Sequence, residues 1–382
     1  MHHRAANSTT LGILGGGQLA MLLARSAQMR GVRVHLYLEK EEHAPAVEFA
    51  QQIFMGDGWQ DETTLLAFAQ SCDVIALENE FVPVALLEKI ATTTSVRFLP
   101  GLRSYGLFQN KAREKEHATA LGIPLAPWRR VKTLHDVRSW QQEHPRLVLK
   151  TCEGGYDGYG NFVVDKNTAD KDIERFLNQG DVLAEAFLDF THELAIVVAK
   201  QGDKIVAFPV AETIQSRQIC HYVLAPARLP EAMLENVRSH AIAVVEAAAQ
   251  DGLFGVEFFL ATDGTVLYNE AAPRPHNSAH FTVDGCDVSQ FDMIVNLAVG
   301  DELTTPQLLS PVVGMLNLLG THHGSPRLEP EEEFLALKDG TLCLYGKPWS
   351  RPGRKMGHFN LRGDSAPAIL AQLQELQQRY QL

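Results

Sequence analysis

Cysteine is scarce in this 382-residue chain: five residues, at 72, 152, 220, 286 and 343, odd in number and without a CxxC pair. Such scatter argues against a disulfide framework or a thiolate zinc site and fits reduced cytosolic thiols. No apolar run approaches the roughly 20 residues of a membrane span, and MHHRAANSTT leads into no hydrophobic signal core. Basic charge is also short, with 34 Lys and Arg against 46 Asp and Glu and a formal net charge of −12. That balance argues against general binding to nucleic acid or an anionic membrane. Any anionic substrate must then be held by a local cationic cluster. The length leaves room for two or three domains with ample core.

What is present centres on residues 255–280, GVEFFLATDGTVLYNEAAPRPHNSAH. The run predicts two strands joined at Asp263-Gly264, a dipeptide suited to a two-residue hairpin turn. That turn sets Thr262 opposite Thr265 and, further along the same register, Glu257 opposite Glu270. Two opposed carboxylates repel, and burying them side by side costs more still. A hard divalent cation removes the objection, because Mg²⁺ takes one or two protein carboxylates and completes its octahedron with water and nucleotide phosphates. The pair reads as a Mg–nucleotide site; the plainer alternative is an exposed hairpin with both acids in water. The loop APRPHNSAH follows, stiffened by Pro273 and Pro275. Its Arg274, His276, Asn277, Ser278 and His280 offer a density of donors that suits an anionic co-substrate.

Elsewhere, TLGILGGGQLA at 10–20 runs from strand through glycines into a helix, and VRVHLYL follows as a second strand. Gly15, Gly17 and Ala20 fit a dinucleotide fingerprint with Glu39 on a ribose, although any sharp strand-to-helix turn needs such glycines. Glu78 and Glu80 end a later strand. FQNKAREKEHATALG, 108–122, predicts a polar helix closed by Gly122, with Arg113 and Lys115 on a solvated face. RLVLKTCEGGYDGYGNFVV, 146–164, predicts a strand ending at Lys150, a mobile glycine-rich loop and a second strand. Backbone amides of such a loop approach phosphates closely, and the absence of G-K-[ST] before a helix excludes a P-loop. VLAEAFLDFTHELAIVV predicts strands ending at Glu185 and beginning near Glu193 with LDFTH as the turn. A helix is expected over 230–252, and SRPGRKMGHFNL near the end forms a basic loop of the kind the net charge demands.

With GGYDGYGN, NEAAPRPHNSAH and RPGRKMGHFN in this order, the chain resembles the ATP-grasp ligases, and among them the N5-carboxyaminoimidazole ribonucleotide synthetase family, over about residues 10–375. The resemblance implies a mixed α/β and α+β fold: a doubly wound pre-ATP-grasp domain at 10–105, an ATP-grasp region at 106–300 with a lid at about 122–185, and a small C-terminal domain at 301–382. It implies ATP-dependent carboxylation of 5-aminoimidazole ribonucleotide with bicarbonate, through carboxyphosphate, in a cytoplasmic homodimer that passes its product to the N5-carboxyaminoimidazole ribonucleotide mutase. ATP would contact Lys111, Lys150, Gly155, Tyr156, Asp157, Gly158, Tyr159, Gly160, Asn161, Glu185, Ala186, Phe187, Leu188, Glu193, Gln215, Asn269 and Glu270. Glu257 and Glu270 would hold Mg²⁺ or Mn²⁺. The ribonucleotide would meet Gly17, Gln18, Glu78, Arg274, His276, Asn277, Lys347, Arg351, Arg354 and Lys355. Lys150, Tyr156, Asp157, Arg274 and His276 would carry the catalytic roles, with the proton acceptor left between Asp157 and His276. The chain departs from the family pattern at Leu107, where relatives have Arg, and at Gln215, where they have His; Arg103 is a candidate replacement cation. Two rivals stand beside this reading: an ATP-grasp enzyme acting on another ribonucleotide, and a nucleotide-binding regulator without turnover.

Overall fold

A computed structural model describes residues 9–39, 44–155, 160–216, 219–248 and 250–382. The strand Thr10–Leu14 is buried along its whole length, as a strand covered on both faces must be. It centres a parallel sheet in the order Gln52–Met55, Arg33–Leu38, Thr10–Leu14, Val74–Leu77, Arg97–Leu99. At its carboxyl end Gly15 adopts a φ of +129°, and a Cβ there would lie 1.9 Å from Glu78 Oε1. Glycine is required so that Glu78 can reach the start of the helix Gln18–Met29, where it accepts from Gly17 N at 3.3 Å and Ala20 N at 2.7 Å. A carboxylate therefore stands where a pyrophosphate would sit in a dinucleotide site. The glycines serve the turn and this contact, and the dinucleotide reading falls.

A four-stranded antiparallel sheet follows, ordered Trp128–Val131, Val182–Ala186, Leu147–Thr151, Asn161–Val164. The helices Leu134–Trp140 and Asp170–Leu177 close a separate small core over it, built on Val137, Trp140, Ile173 and Phe176.

The third sheet has nine strands and runs through the rest of the chain. Its path is Val266–Ala272, Gly252–Ala261, Phe190–Gln201, Ala211–Ser216, Ile219–Ala225, Val312–Leu319, Lys355–Gly363, Gly340–Leu344, with Lys204–Ala207 paired to Phe190–Gln201. The C-terminal strands thus extend the sheet that carries the glutamate hairpin. Helix Glu231–Ala248 covers part of one face with Val237, Ala241, Val244 and Val245, all buried. On the other face, helix Gln290–Val299 joins the sheet to the N-terminal unit in one apolar cluster.

Several local expectations shift. The polar helix at 108–122 is two helices, Leu102–Phe108 and Lys111–Ala120, because Asn110 turns its side chain to accept from Ala112 N and Arg113 N and starts a new helix. The helix expected to 252 stops short of Gly252, which opens a strand. Phe190 to His192, read as a turn, lie in the strand Phe190–Gln201 with a bulge between them. Lys355 and MGHFN lie in a strand and not in a loop. Of the stretch 108–122, Arg113 is exposed, but Lys115 is buried at 2% and is no part of a solvated face.

Candidate active site

Glu257 and Glu270 are register partners in the hairpin, by a different route from a two-residue turn. Ala261 N bonds Thr265 O at 2.9 Å, and Gly264, at φ +87°, completes a three-residue loop. That loop shifts the pairing by one, so Phe259 faces Leu267 and Phe258 faces Tyr268. A bulge between Glu257 and Phe258 then restores Glu257 opposite Glu270, with Asn269 as the extra residue. Bulges re-aim side chains. Here Asn269 and Glu270, adjacent in sequence, both reach the same cleft, while Tyr268 is buried behind them.

The helix Lys111–Ala120 holds this bulge. Glu114 Oε1 accepts from Tyr268 OH and Ala271 N, each at 2.5 Å. Lys115 Nζ donates to Asn269 O at 2.7 Å, and Lys111 pairs with the Glu270 carboxylate. Lys115 also pairs with Glu185 at 2.8 Å, whose other oxygen takes Lys150 at 2.7 Å. Burial works to raise the Glu185 pKa, but the two ammonium groups overcome it and hold the carboxyl at about 2. The Lys111 ammonium likewise keeps Glu270 well below the usual carboxylate range. Burial, followed by the Glu270 and Glu193 charges, outweighs the Lys111 and Lys355 charges at Glu257 and pushes it up to about 8. Glu193, which accepts from Gln215 Nε2, is raised by burial to about 7.

One cleft of about 1250 Å³ gathers these groups. Every described residue of the implied ATP, metal and ribonucleotide sets lines it except Gly160, whose carbonyl accepts from Thr151 N at 2.9 Å. Tyr156, Asp157, Gly158 and Tyr159 lie outside the described residues. Lys150, Gly155, Asn161, Glu185, Ala186, Phe187, Leu188, Glu193 and Gln215 line it together with Lys111, Glu257, Asn269 and Glu270. Gly17, Gln18 and Glu78 also line it, as do Arg274, His276, Asn277, Lys347, Arg351, Arg354 and Lys355. The basic turn is pinned by Gly320 N to Arg354 O at 2.8 Å and Gly353 N to Gly320 O at 2.9 Å. His276 places Nε2 3.5 Å from Glu257 Oε1, and Arg274 Nε pairs with Glu80 at 2.9 Å.

His280 does not join its loop neighbours. The 3₁₀ turn Asn277–Ala279 carries it into the core, fully buried, with its ring centroid 5.2 Å from that of His358. Leu107 packs against the apolar cluster under helix Glu231–Ala248, and exposed Arg103 is not in the cleft lining. Sequence reasoning missed Glu114 and Lys115, and also Phe190, which stacks on Phe259 in the cleft at a centroid distance of 4.5 Å. The available signal for the first two was their i+3 and i+4 spacing from Lys111, which puts all three on one helix face.

Three family models match successive parts of the chain. A ribonucleotide synthetase preATP-grasp domain matches residues 8–104, an ATP-grasp domain 116–291, and a phosphoribosylaminoimidazole carboxylase C-terminal domain 314–372. The N5-carboxyaminoimidazole ribonucleotide synthase of Synechococcus elongatus is 34% identical over 96% of this chain and 95% of its own. The chain belongs to the N5-carboxyaminoimidazole ribonucleotide synthase family. The Bacillus subtilis synthase is 33% identical over 91% of this chain and 90% of its own. Among solved structures, the Staphylococcus aureus N5-carboxyaminoimidazole synthetase complexed with ADP superposes with a TM-score of 0.88 at 28% identity, covering 97% of each chain. The Aspergillus clavatus synthase in complex with ADP and 5-aminoimidazole ribonucleotide gives a TM-score of 0.86 at 30% identity, covering 98% of each. As an ATP-grasp ligase of this synthase family, the chain has its carboxylate hairpin in the ATP-grasp segment and most of its basic wall beyond it.

Proposed function

We propose that this cleft carries out the ATP-dependent carboxylation of 5-aminoimidazole ribonucleotide with bicarbonate, giving N5-carboxyaminoimidazole ribonucleotide, ADP and phosphate in purine biosynthesis. One observation carries the reading: the carboxylate pair and the cationic residues line the same cleft, with His276 beside Glu257. A nucleotide phosphate chain suits the carboxylate pair with its metal, and a ribonucleotide phosphate suits the cations.

Glu257 and Glu270 fit a hard divalent ion. Both are oxygen donors on facing strands, and the burial and charge repulsion that lift Glu257 to about 8 are what a cation would offset. Among the described residues no group of three or more His, Cys, Asp and Glu is placed to hold a metal ion. Mg²⁺ or Mn²⁺ bound there would neutralise charge developing on the transferred phosphoryl group.

The chain's own work is positioning. Lys150, on a strand next to the glycine-rich loop, and Lys111 supply point charges to the phosphates. Residues 185–188 hold the adenine, and Glu193 with Gln215 the ribose. Arg351, Arg354, Lys355 and Lys347 take the ribonucleotide phosphate, while Gly17, Gln18, Glu78, Arg274, His276 and Asn277 orient its base and sugar. Residues 155–161, with Tyr156 and Asp157, close over bicarbonate and keep water from the intermediate. A bicarbonate oxygen attacks the γ-phosphorus and ADP leaves. The carboxyphosphate formed then loses phosphate as its carboxyl carbon passes to the exocyclic amine, which gives up a proton. The enzyme is proposed to act as a cytoplasmic homodimer and to pass its product to the N5-carboxyaminoimidazole ribonucleotide mutase. Among the described residues no helix is long and apolar enough to cross a membrane.

ADP release from Mg–ATP and bicarbonate tests the reading. Strong stimulation by 5-aminoimidazole ribonucleotide is expected; release indifferent to that compound would reassign the substrate.

A further inference from the structure

Lys115 is the best-buried cation of the described chain's active-site helix, and burying an ammonium costs several kcal/mol unless acceptors replace its water. Its two acceptors belong to different units of the fold. Glu185 sits in the strand Val182–Ala186 of the four-stranded sheet, 2.8 Å away. Asn269 O, at 2.7 Å, is the carbonyl of the extra residue in the bulge beside Glu270. The ring closes through Lys150, which pairs with Glu185 at 2.7 Å and donates to Asn269 Oδ1 at 3.4 Å. The same helix is tied to the glycine-loop strand from its first turn: Lys111 N bonds Cys152 O at 2.8 Å, and Asn110 Nδ2 bonds Glu153 Oε1 at 2.8 Å.

We propose that Lys115 is a positioning residue that couples the four-stranded lid sheet to the bulged strand presenting Asn269 and Glu270. This rests on the reading of that strand as the nucleotide end of the cleft. Stability alone does not require an ion pair here, since well-packed apolar residues in place of both partners of a buried pair are often neutral. What an apolar side chain cannot do is bond two units at once. Phosphates drawing on Lys150 and the lid strands move Glu185; through Lys115 that movement sets the carbonyl of Asn269, and with it the direction of the neighbouring Glu270 carboxylate.

Lys115→Met tests the coupling without stranding a charge, because Glu185 keeps Lys150. Its kcat for ADP release is expected to fall about a hundredfold, the cost of a small misplacement at a reacting centre, with KM for ATP changed less than about threefold. Hydrogen exchange supplies a readout that packing alone would not move. In the wild type, Mg–ADP should slow exchange in Leu147–Thr151 and Val266–Ala272 together; in the variant it should slow only the first. Should Lys115→Met not fold, Lys115→Gln is read by the same two criteria. Unchanged kcat, a loss confined to KM, joint protection retained in the variant, or no joint protection in the wild type would each overturn the proposal. Absence of ribonucleotide stimulation in the wild type would instead sink the substrate assignment, because the exchange comparison needs only Mg–ADP.

Discussion

Glu270→Gln is expected to lower ribonucleotide-stimulated ADP release by about a thousandfold, the scale of losing a group aimed at developing charge. The amide retains an acceptor oxygen for Lys111, whose ammonium holds the native carboxylate ionised. What it loses is the full negative charge that the proposed metal site needs from this residue. Glu257→Gln should be comparably inactive, yet its effect on stability has the opposite sign. Burial and the nearby Glu270 charge hold Glu257 at about 8 in the metal-free chain, so near pH 7 folding requires a proton that the unfolded carboxylate does not bind, and a neutral side chain removes that cost. Its melting temperature in EDTA should rise above that of the wild type, a trade of stability for function at a strained charged site. Steady-state ADP release together with thermal melts in EDTA reads both effects. A Glu270→Gln enzyme within tenfold of wild type would remove this carboxylate from the site.

Lowering the pH from 6.5 to 5 should destabilise the wild type by about 2 kcal/mol more than it destabilises a His358→Gln variant. His358 is fully buried, and burial followed by the Arg25 charge pulls its pKa down to about 3. Unfolded, the ring binds a proton near 6.5. Between pH 3 and 6.5 the unfolded chain therefore holds more protons than the folded one, and the stability present above 6.5 is lost as the pH falls. The slope rises from about half of roughly 1.4 kcal/mol per unit at pH 6.5, where the unfolded ring is half protonated, to nearly all of it at pH 5, and integrates to the difference stated. Glu257 and Glu193 work the other way, since their raised pKa values favour the fold as they protonate. Comparison with the variant cancels their contribution. The lost contact from His358 Nδ1 to Tyr345 OH, 2.9 Å, adds an offset that is the same at both pH values. Urea titrations at pH 6.5 and 5 measure the difference; parallel losses in the two proteins would show that His358 does not titrate on unfolding.

How much of this was legible in the sequence varied with where the determinant lay. The carboxylate hairpin and the basic turn could be read because each packs its chemistry into a short local run. The Glu257–Glu270 opposition was read correctly although the turn was not: a three-residue loop displaced the register by one and the bulge at Asn269 returned it. Neither offset leaves a mark in alternation of apolar residues. Lys115 was misread because the helix Lys111–Ala120 buries a charged face among few apolar residues, so hydrophobic periodicity has nothing to report. His280 was misread for the opposite reason, a donor within a donor-rich loop that one turn of 3₁₀ backbone rotates into the core. The pairing of Ile219–Ala225 with Val312–Leu319, which makes the C-terminal strands part of the central sheet, is a long-range choice that local patterns do not encode.

Turnover of [¹⁸O]bicarbonate tests the central claim most directly. If a bicarbonate oxygen attacks the γ-phosphorus in this cleft, each turnover in the presence of 5-aminoimidazole ribonucleotide should leave one ¹⁸O atom in the phosphate released, as read by mass spectrometry. Phosphate carrying no label, with ADP and carboxylated product formed in equal amounts, would contradict the carboxyphosphate route and the roles derived from it.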